Sequence, residues 1–303
     1  METWGKRYFR KYWQLYLLMV LPVLYFIIFK YLPMFGNILA FRSSRPGASP
    51  FGVEWVGLKY FKIFMADPAF WRAFMNTLLL SVLNLVINFP IPIIFALLLN
   101  ELSSIKFKKL MQTVSYMPRF FATVVVISML TEILSPSSGV VNYFLKALFN
   151  MDPIYFANEP EYFRPLYILS DTWQFTGWNA IVYLAAITGI NSELYEASMI
   201  DGANRWQQTI YVTIPSILST IMVMFILRVG HLMSLGFEKV LLLYTPQNSG
   251  VSDIIDTFVY RIGLVQANYS YATAVGLFGG IIGIILVTSA NKASKSLTGQ
   301  SLY

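Results

Sequence analysis

Arg228 and His231 stand about one helical turn apart in apolar sequence, and a second apolar run crowds together Asp171, Trp173, Gln174, Thr176, Trp178, Asn179 and Tyr183. A third carries Asn84 and Asn88, four positions apart and therefore on one face of a helix. These residue types bind; they do not break bonds. Indole faces with fixed amide donors and acceptors suit a hydroxyl-rich solute. Asn84 and Asn88 either bond a neighbouring helix or line a pore. A cation within a span costs roughly 2.5–3.5 kcal/mol on insertion scales, so Arg228 needs compensation. A passing carboxylate, a backbone carbonyl, or a standing carboxylate from this chain or a neighbour would each supply it. His231 reads as a packed or hydrogen-bonding side chain.

Catalytic and metal chemistry find little here. The chain has no Cys and a single His, which excludes disulfides, thiol catalysis and Cys-ligated zinc, and makes a His-based zinc hydrolase untenable. There is no His-Glu-x-x-His and no Gly-x-x-x-x-Gly-Lys-[Ser/Thr], so neither a zincin site nor a phosphate-cradling loop is present. The net charge of +7 is scattered through apolar sequence rather than gathered into a nucleic-acid stripe.

The elements that must position these side chains are membrane spans. Of 303 residues, 56% are hydrophobic and only 12% charged, against about 25% charged in soluble domains. Apolar runs predict six spans: 15–29, 77–99, 116–134, 167–188, 215–237 and 272–290. The expected fold is all-α and polytopic. A basic, aromatic N-terminus (1–14), the Lys106, Lys108 and Lys109 loop, and a C-terminal tail (292–303) carrying Lys292 and Lys295 place both termini in the cytoplasm by the positive-inside rule. Short helices are expected in the outer segments, over 140–149 and around 251–259. Spacing in the sixth run, Gly276 with Gly280 and Gly279 with Gly283, predicts close helix approach. Trp55, Tyr60, Phe70 and Trp71 read as interfacial aromatics, with a sugar-stacking platform as the alternative.

Between the fourth and fifth runs lies a compact polar segment, 190–215. Glu193 and Glu196 occupy the first turn of a helix, where carboxylates suit the dipole, and Asn191 or Ser192 can cap it. Gly202 can end that helix, and a second short one then leads to Pro215. Such a helical hairpin between spans is shaped to be gripped by another protein.

The spacing Glu196-Ala197-Ser198, then Gly202, then Val212-Thr213-Ile214-Pro215 resembles the EAA loop of binding-protein-dependent ABC importer permeases, with Ser198 in place of the usual second Ala. The segments 134–142, 256–261 and 269–274 resemble the permeases of that family that import oligosaccharides from pectin and alginate. The resemblance implies a six-span permease subunit of a type I importer. It would form half of a translocation path with a second permease chain, identical or related. The coupling helix would dock on two ATP-binding subunits through Glu193, Glu196, Ala197, Ser198, Asp201 and Gly202. ATP and magnesium would then reside on those partners, and this chain would hold no cofactor or metal. A solute-binding protein would deliver the oligosaccharide, an acidic one by the style of the match, to a pathway lined by Trp173, Gln174, Trp178, Asn179, Arg228, His231, Asn84 and Asn88. The inner membrane of a bacterium is the expected location, with lipid as the surroundings and no nucleic-acid partner. The competing readings are a neutral sugar or another solute in the same machine, an ion-coupled secondary transporter, and a membrane-embedded enzyme. The second finds only sparse membrane carboxylates, Asp171 and Glu132 near span ends, and no evident pair of unwound spans, and the third lacks clustered acid and base residues.

Overall fold

The computed structural model describes residues 4–45, 47, 49 and 51–299; the backbone alone is described at 4–7, 9, 10, 297 and 298. The basic side chains of Lys6, Arg7 and Arg10, the turn residue Pro46 and the last four residues of the tail lie outside that description. Helix dominates. Among the described residues there is no strand, and the one extended pairing is an isolated bridge between Arg42 and Trp55. Helices at Lys11–Phe41, Pro68–Asn100 and Tyr269–Ser296 are long and apolar enough to cross a membrane. Two bent pairs extend that set to five. Pro160–Thr188 supplies a sixth element of spanning length, 29 residues, with a more polar sequence.

Residues 1–66 and 259–277 form one compact unit. Ser270 Oγ donates to the Arg42 carbonyl at 2.6 Å, Phe41 stacks on Trp55, and Phe64 meets Tyr271 edge-on. Trp55 and its neighbours thus pack on one another, although Trp55 itself remains exposed.

Residues 67–258 and 278–303 form the second unit, which holds the polar constellations. Its axis is the helix Pro160–Thr188. Toward one end Phe163, Tyr167 and Ile168 pack with Leu80, Ile127, Val240 and Ile254. Toward the other, Ala180, Tyr183, Leu184 and Ile187 pack with Ala96, Leu99 and Ile217. Residues 171–179 lie between these apolar clusters. Polar side chains can persist there because the neighbouring helices satisfy them.

Three of the expected spans differ in form. The third is broken: Ile105–Phe120 and Thr123–Ile133 meet at 100°. Pro118 sits in a tight 3-10 turn, and Phe121 and Ala122 are extended, so the helical ladder is interrupted where one continuous run is predicted. The fifth is also bent, by 61°, between Arg205–Ser216 and Leu218–Gly230. Pro215 cannot donate a backbone hydrogen bond just before that bend. The helix then stops at Gly230, seven residues short of the expected end, and a separate helix follows at Phe237–Leu243. His231 is therefore an exposed residue just beyond a helix end.

In the sixth span a Cβ built on Gly276, Gly279, Gly280 or Gly283 would meet no atom within 4 Å. Among the described residues nothing packs closely on the small-residue faces expected to admit a neighbouring helix. Close approach occurs instead at Gly177, where a Cβ would lie 2.2 Å from the Ser115 carbonyl oxygen. The outer helix Val140–Phe149 forms as expected and ends at Asn150 in the left-handed region.

Candidate functional site

Asp171, twelfth of the 29 residues of its helix, is the centre of the polar belt. Its position is interior, not near the end of the span as the apolar run implies. Oδ1 accepts from Lys239 Nζ at 3.0 Å. Oδ2 accepts from Asn84 Nδ2 at 3.0 Å and from Asn88 Nδ2 at 3.4 Å. Arg228 Nη2 stands 3.6 Å from the same Oδ2 and donates to Asn84 Oδ1. Thr172 closes the network by donating to Asn88 Oδ1. The i, i+4 spacing of Asn84 and Asn88 aims both amides at one carboxylate, so their role as bonds between helices is realised.

Burial separates the two cations. The Lys239 side chain is 5% exposed, while that of Arg228 is 38% exposed. Arg228 occupies the last turn of its helix, where unpaired carbonyls favour a positive charge. A cavity of about 240 Å³ opens beside it, walled by Asn84, Asp171, Phe175, Asn179, Arg228 and Lys239 together with His231, Glu238 and Tyr167. A smaller void of about 60 Å³ lies against Asn88, Tyr183 and Met224. Arg228 and Asn179 line both spaces. The wall offers amides, a guanidinium and aromatic faces. It can hold a polar solute and can orient an anionic group, and among the described residues no hydroxyl of its wall is hydrogen-bonded to His231 or Glu238.

Trp173 and Trp178 are half exposed and line neither cavity. Gln174 is buried; its amide donates to the Phe121 carbonyl at 3.2 Å and so ties the broken third span to the central helix.

The hairpin at 191–216 is built as its sequence suggests. Asn191 caps the helix Ser192–Ile200, accepting from the Glu193 amide at 3.1 Å. Gly202 takes φ +80°, and its N–H and that of Ala203 bond the carbonyls of Met199 and Ser198, a Schellman closure. Asn204 and Gln207 form a capping box on the next short helix. Tyr195 Oη and Thr213 Oγ1, 2.9 Å apart, tie the two arms together. Ser198 turns its hydroxyl back to the Tyr195 carbonyl, leaving a small outer surface. Glu193, Glu196, Ala197, Asp201 and Gly202 are all exposed, as are Leu194, Met199, Ile200 and Trp206.

Residues 12–297 match the family described as the binding-protein-dependent transport system inner membrane component. The chain belongs to that family. This permease is similar to the polygalacturonan/rhamnogalacturonan transport system permease protein YteP of Bacillus subtilis, 45% identical over 94% of this chain and 89% of that one. It is also similar to Protein LplB of the same organism, 42% identical over 99% and 94%. Among solved structures it resembles a chain of a bacterial ABC transporter involved in the import of the acidic polysaccharide alginate, with TM-score 0.88 and 40% identity over 96% and 98% of the two chains. A second alginate transporter structure, in complex with a periplasmic protein bound to an alginate pentasaccharide, matches with TM-score 0.89 and 39% identity over 98% and 99%. The all-α membrane fold and the ABC permease assignment expected from the EAA spacing therefore hold. The family is one of transport components, not of enzymes.

Within this permease the structure gathers Asn84, Asn179, Arg228 and His231 at one cavity, places Asn88 behind them, and sets Trp173, Gln174 and Trp178 apart. Lys239 and Glu238 escape a sequence reading because they follow a run taken as a complete span. Asp171 shows in the sequence through the polar load of its span and the need of Arg228 for a counter-charge, without its partner Lys239.

Proposed function

We propose that this permease forms half of the translocation path for an acidic oligosaccharide and takes its energy from two ATP-binding subunits docked on the 191–216 hairpin. The observation that carries the acidic reading is the asymmetry around Asp171. Its carboxylate is engaged by Lys239 at 3.0 Å and by two amides, whereas Arg228 is 3.6 Å away and faces an open cavity. A guanidinium has five donors in a planar fork, and Arg228 spends few of them within the chain. A uronate carboxylate entering the cavity matches the unspent donors. The similar proteins named for polygalacturonan/rhamnogalacturonan and alginate, both uronate polymers, support the same class of solute.

The hairpin supports the energy source. Exposed Glu196 offers a charge to a basic group, small Ala197 and Ser198 admit close approach, and exposed Met199, Ile200 and Trp206 supply apolar contact. ATP and magnesium belong to the partner subunits on this reading. A second permease chain completes the path, a solute-binding protein delivers the sugar, and both termini lie in the cytoplasm.

The test is stimulation of ATP hydrolysis in the reconstituted transporter by binding protein loaded with a uronate or a neutral oligosaccharide. Arg228→Ala is expected to blunt the uronate response selectively. An equal loss of both responses would make Arg228 structural and remove the support for an acidic solute.

A further inference from the structure

Arg119 is a further cation near the belt. It lies in the tight turn Met117–Phe120 that breaks the third span. Its guanidinium stands 5.1 Å from the ring centre of Phe175 and 5.9 Å from that of Trp178. It is exposed, and among the described residues it forms no ion pair. Trp178 is 43% exposed and meets Phe120 edge-on at 5.9 Å.

The placement is held from behind. Gly177 lets the central helix approach the backbone of Ser115 at a distance no side chain would allow. Gln174 clasps the carbonyl of Phe121, immediately after the turn. The turn that carries Arg119 is thus held beside the two rings by two contacts of the helix that also carries Asp171.

Phe175 links this cluster to the cavity. Its ring receives Arg119 on one contact and Lys239, at 5.2 Å, on another, and it lines the cavity beside Arg228. Stacked guanidinium planes keep their in-plane donors free. A sugar ring can lie on the exposed indole while its carboxylate takes those donors in a bidentate pair.

Resting on the acidic-oligosaccharide reading, we propose that Arg119 and Trp178 form a second uronate subsite, distinct from Arg228 and joined to the cavity through Phe175. Arg119 supplies the charge recognition and Trp178 the stacking surface.

The whole transporter in proteoliposomes, with binding protein, tests this by uptake of a uronate oligosaccharide and of its carboxyl-reduced, neutral counterpart. The acidic-to-neutral ratio is read within each preparation, so loss of folded protein cancels. Removing a charge-assisted bond to a carboxylate lowers the ratio about tenfold in Arg119→Gln. Arg119→Lys keeps part of it, and Trp178→Ala slows both sugars with little change of ratio. An Arg119→Gln transporter with the parent's ratio overturns the subsite. Repeating the measurement in phosphatidylcholine alone and with phosphatidylglycerol distinguishes a lipid phosphate as the anion. A loss that depends on the lipid and falls equally on both sugars likewise overturns the proposal. A parent that imports both sugars equally overturns the acidic reading itself, and the subsite with it. A parent preference that Arg119→Gln retains overturns the subsite alone.

Discussion

Lys239 and Asp171, 68 positions apart in the chain, form a 3.0 Å ion pair in the interior, with side chains 5% and 13% exposed. Charges taken out of water this completely depend on one another. Removing Asp171 leaves Lys239 buried without its counter-charge, at a cost of about 3–5 kcal/mol, whereas removing Lys239 leaves Asp171 held by Arg228 at 3.6 Å and by two amides. Asp171→Asn should lower the thermal stability of the purified permease strongly, and Lys239→Met less. The double substitution should recover a large part of the Asp171→Asn loss, because the buried Lys239 charge is then gone. Thermal unfolding of the three variants in detergent provides the double-mutant cycle.

Gly177→Ala should separate the central helix from the backbone at Ser115, three residues before Pro118. The added Cβ would fall 2.2 Å from a backbone oxygen, which no rotamer change relieves. The expected cost is about 1–3 kcal/mol of overpacking. Gly276→Ala, with nothing within 4 Å, should be close to neutral in the same unfolding assay.

Gly202→Ala should weaken coupling without touching any exposed recognition side chain. A φ of +80° is adopted freely by glycine and costs an L-residue roughly 1–2 kcal/mol. The Schellman closure that aims Glu196 would relax. Gly202→Asn should retain more function, since Asn tolerates the left-handed region better. Binding-protein-stimulated ATP hydrolysis reads both variants.

Asp256, on the helix Ile255–Tyr260 between the fifth and sixth spans, carries a pH signature. Burial pushes its carboxyl up from 3.8 to about 6. The folded state then holds the proton more tightly than the unfolded chain. Its contribution is greatest below about pH 4 and is lost as pH rises through about 6. Asp256→Asn should flatten the dependence of unfolding temperature on pH across that window and raise stability at neutral pH. A parent curve without a decline between those values would contradict the assignment.

The sequence is most legible where structure is local. Asn191, Gly202 and Pro215 announce the hairpin because capping, a positive φ and a missing N–H are properties of single residues. The polar load of residues 171–179 likewise announces a span that cannot face lipid on all sides. The Asp171–Lys239 pair is invisible because Lys239 follows an apolar run that looks like an unbroken span, and its partner is fixed only by packing. The 100° break at Phe121 and Ala122 has a weak local signature, with Pro118 three residues earlier. Trp173 and Trp178 share residue type with a sugar-binding wall, yet helical phase turns Trp173 from the cavity, and Trp178, on the face of Asp171 and Phe175, stands two turns along the helix from Asp171. The glycine spacing at 276–283 encodes a smooth face, and a smooth face does not say whether a neighbour from the same chain will occupy it.

The central claim is that this permease passes an acidic oligosaccharide and is driven through the 191–216 hairpin. The most direct measurement is uptake of a labelled uronate oligosaccharide into proteoliposomes holding the complete transporter, with binding protein outside and ATP inside. Uptake should require ATP, persist when ion gradients are collapsed, exceed that of the carboxyl-reduced sugar, and disappear in Glu196→Lys. Uptake that proceeds without ATP, or that is undiminished by Glu196→Lys, would contradict the account.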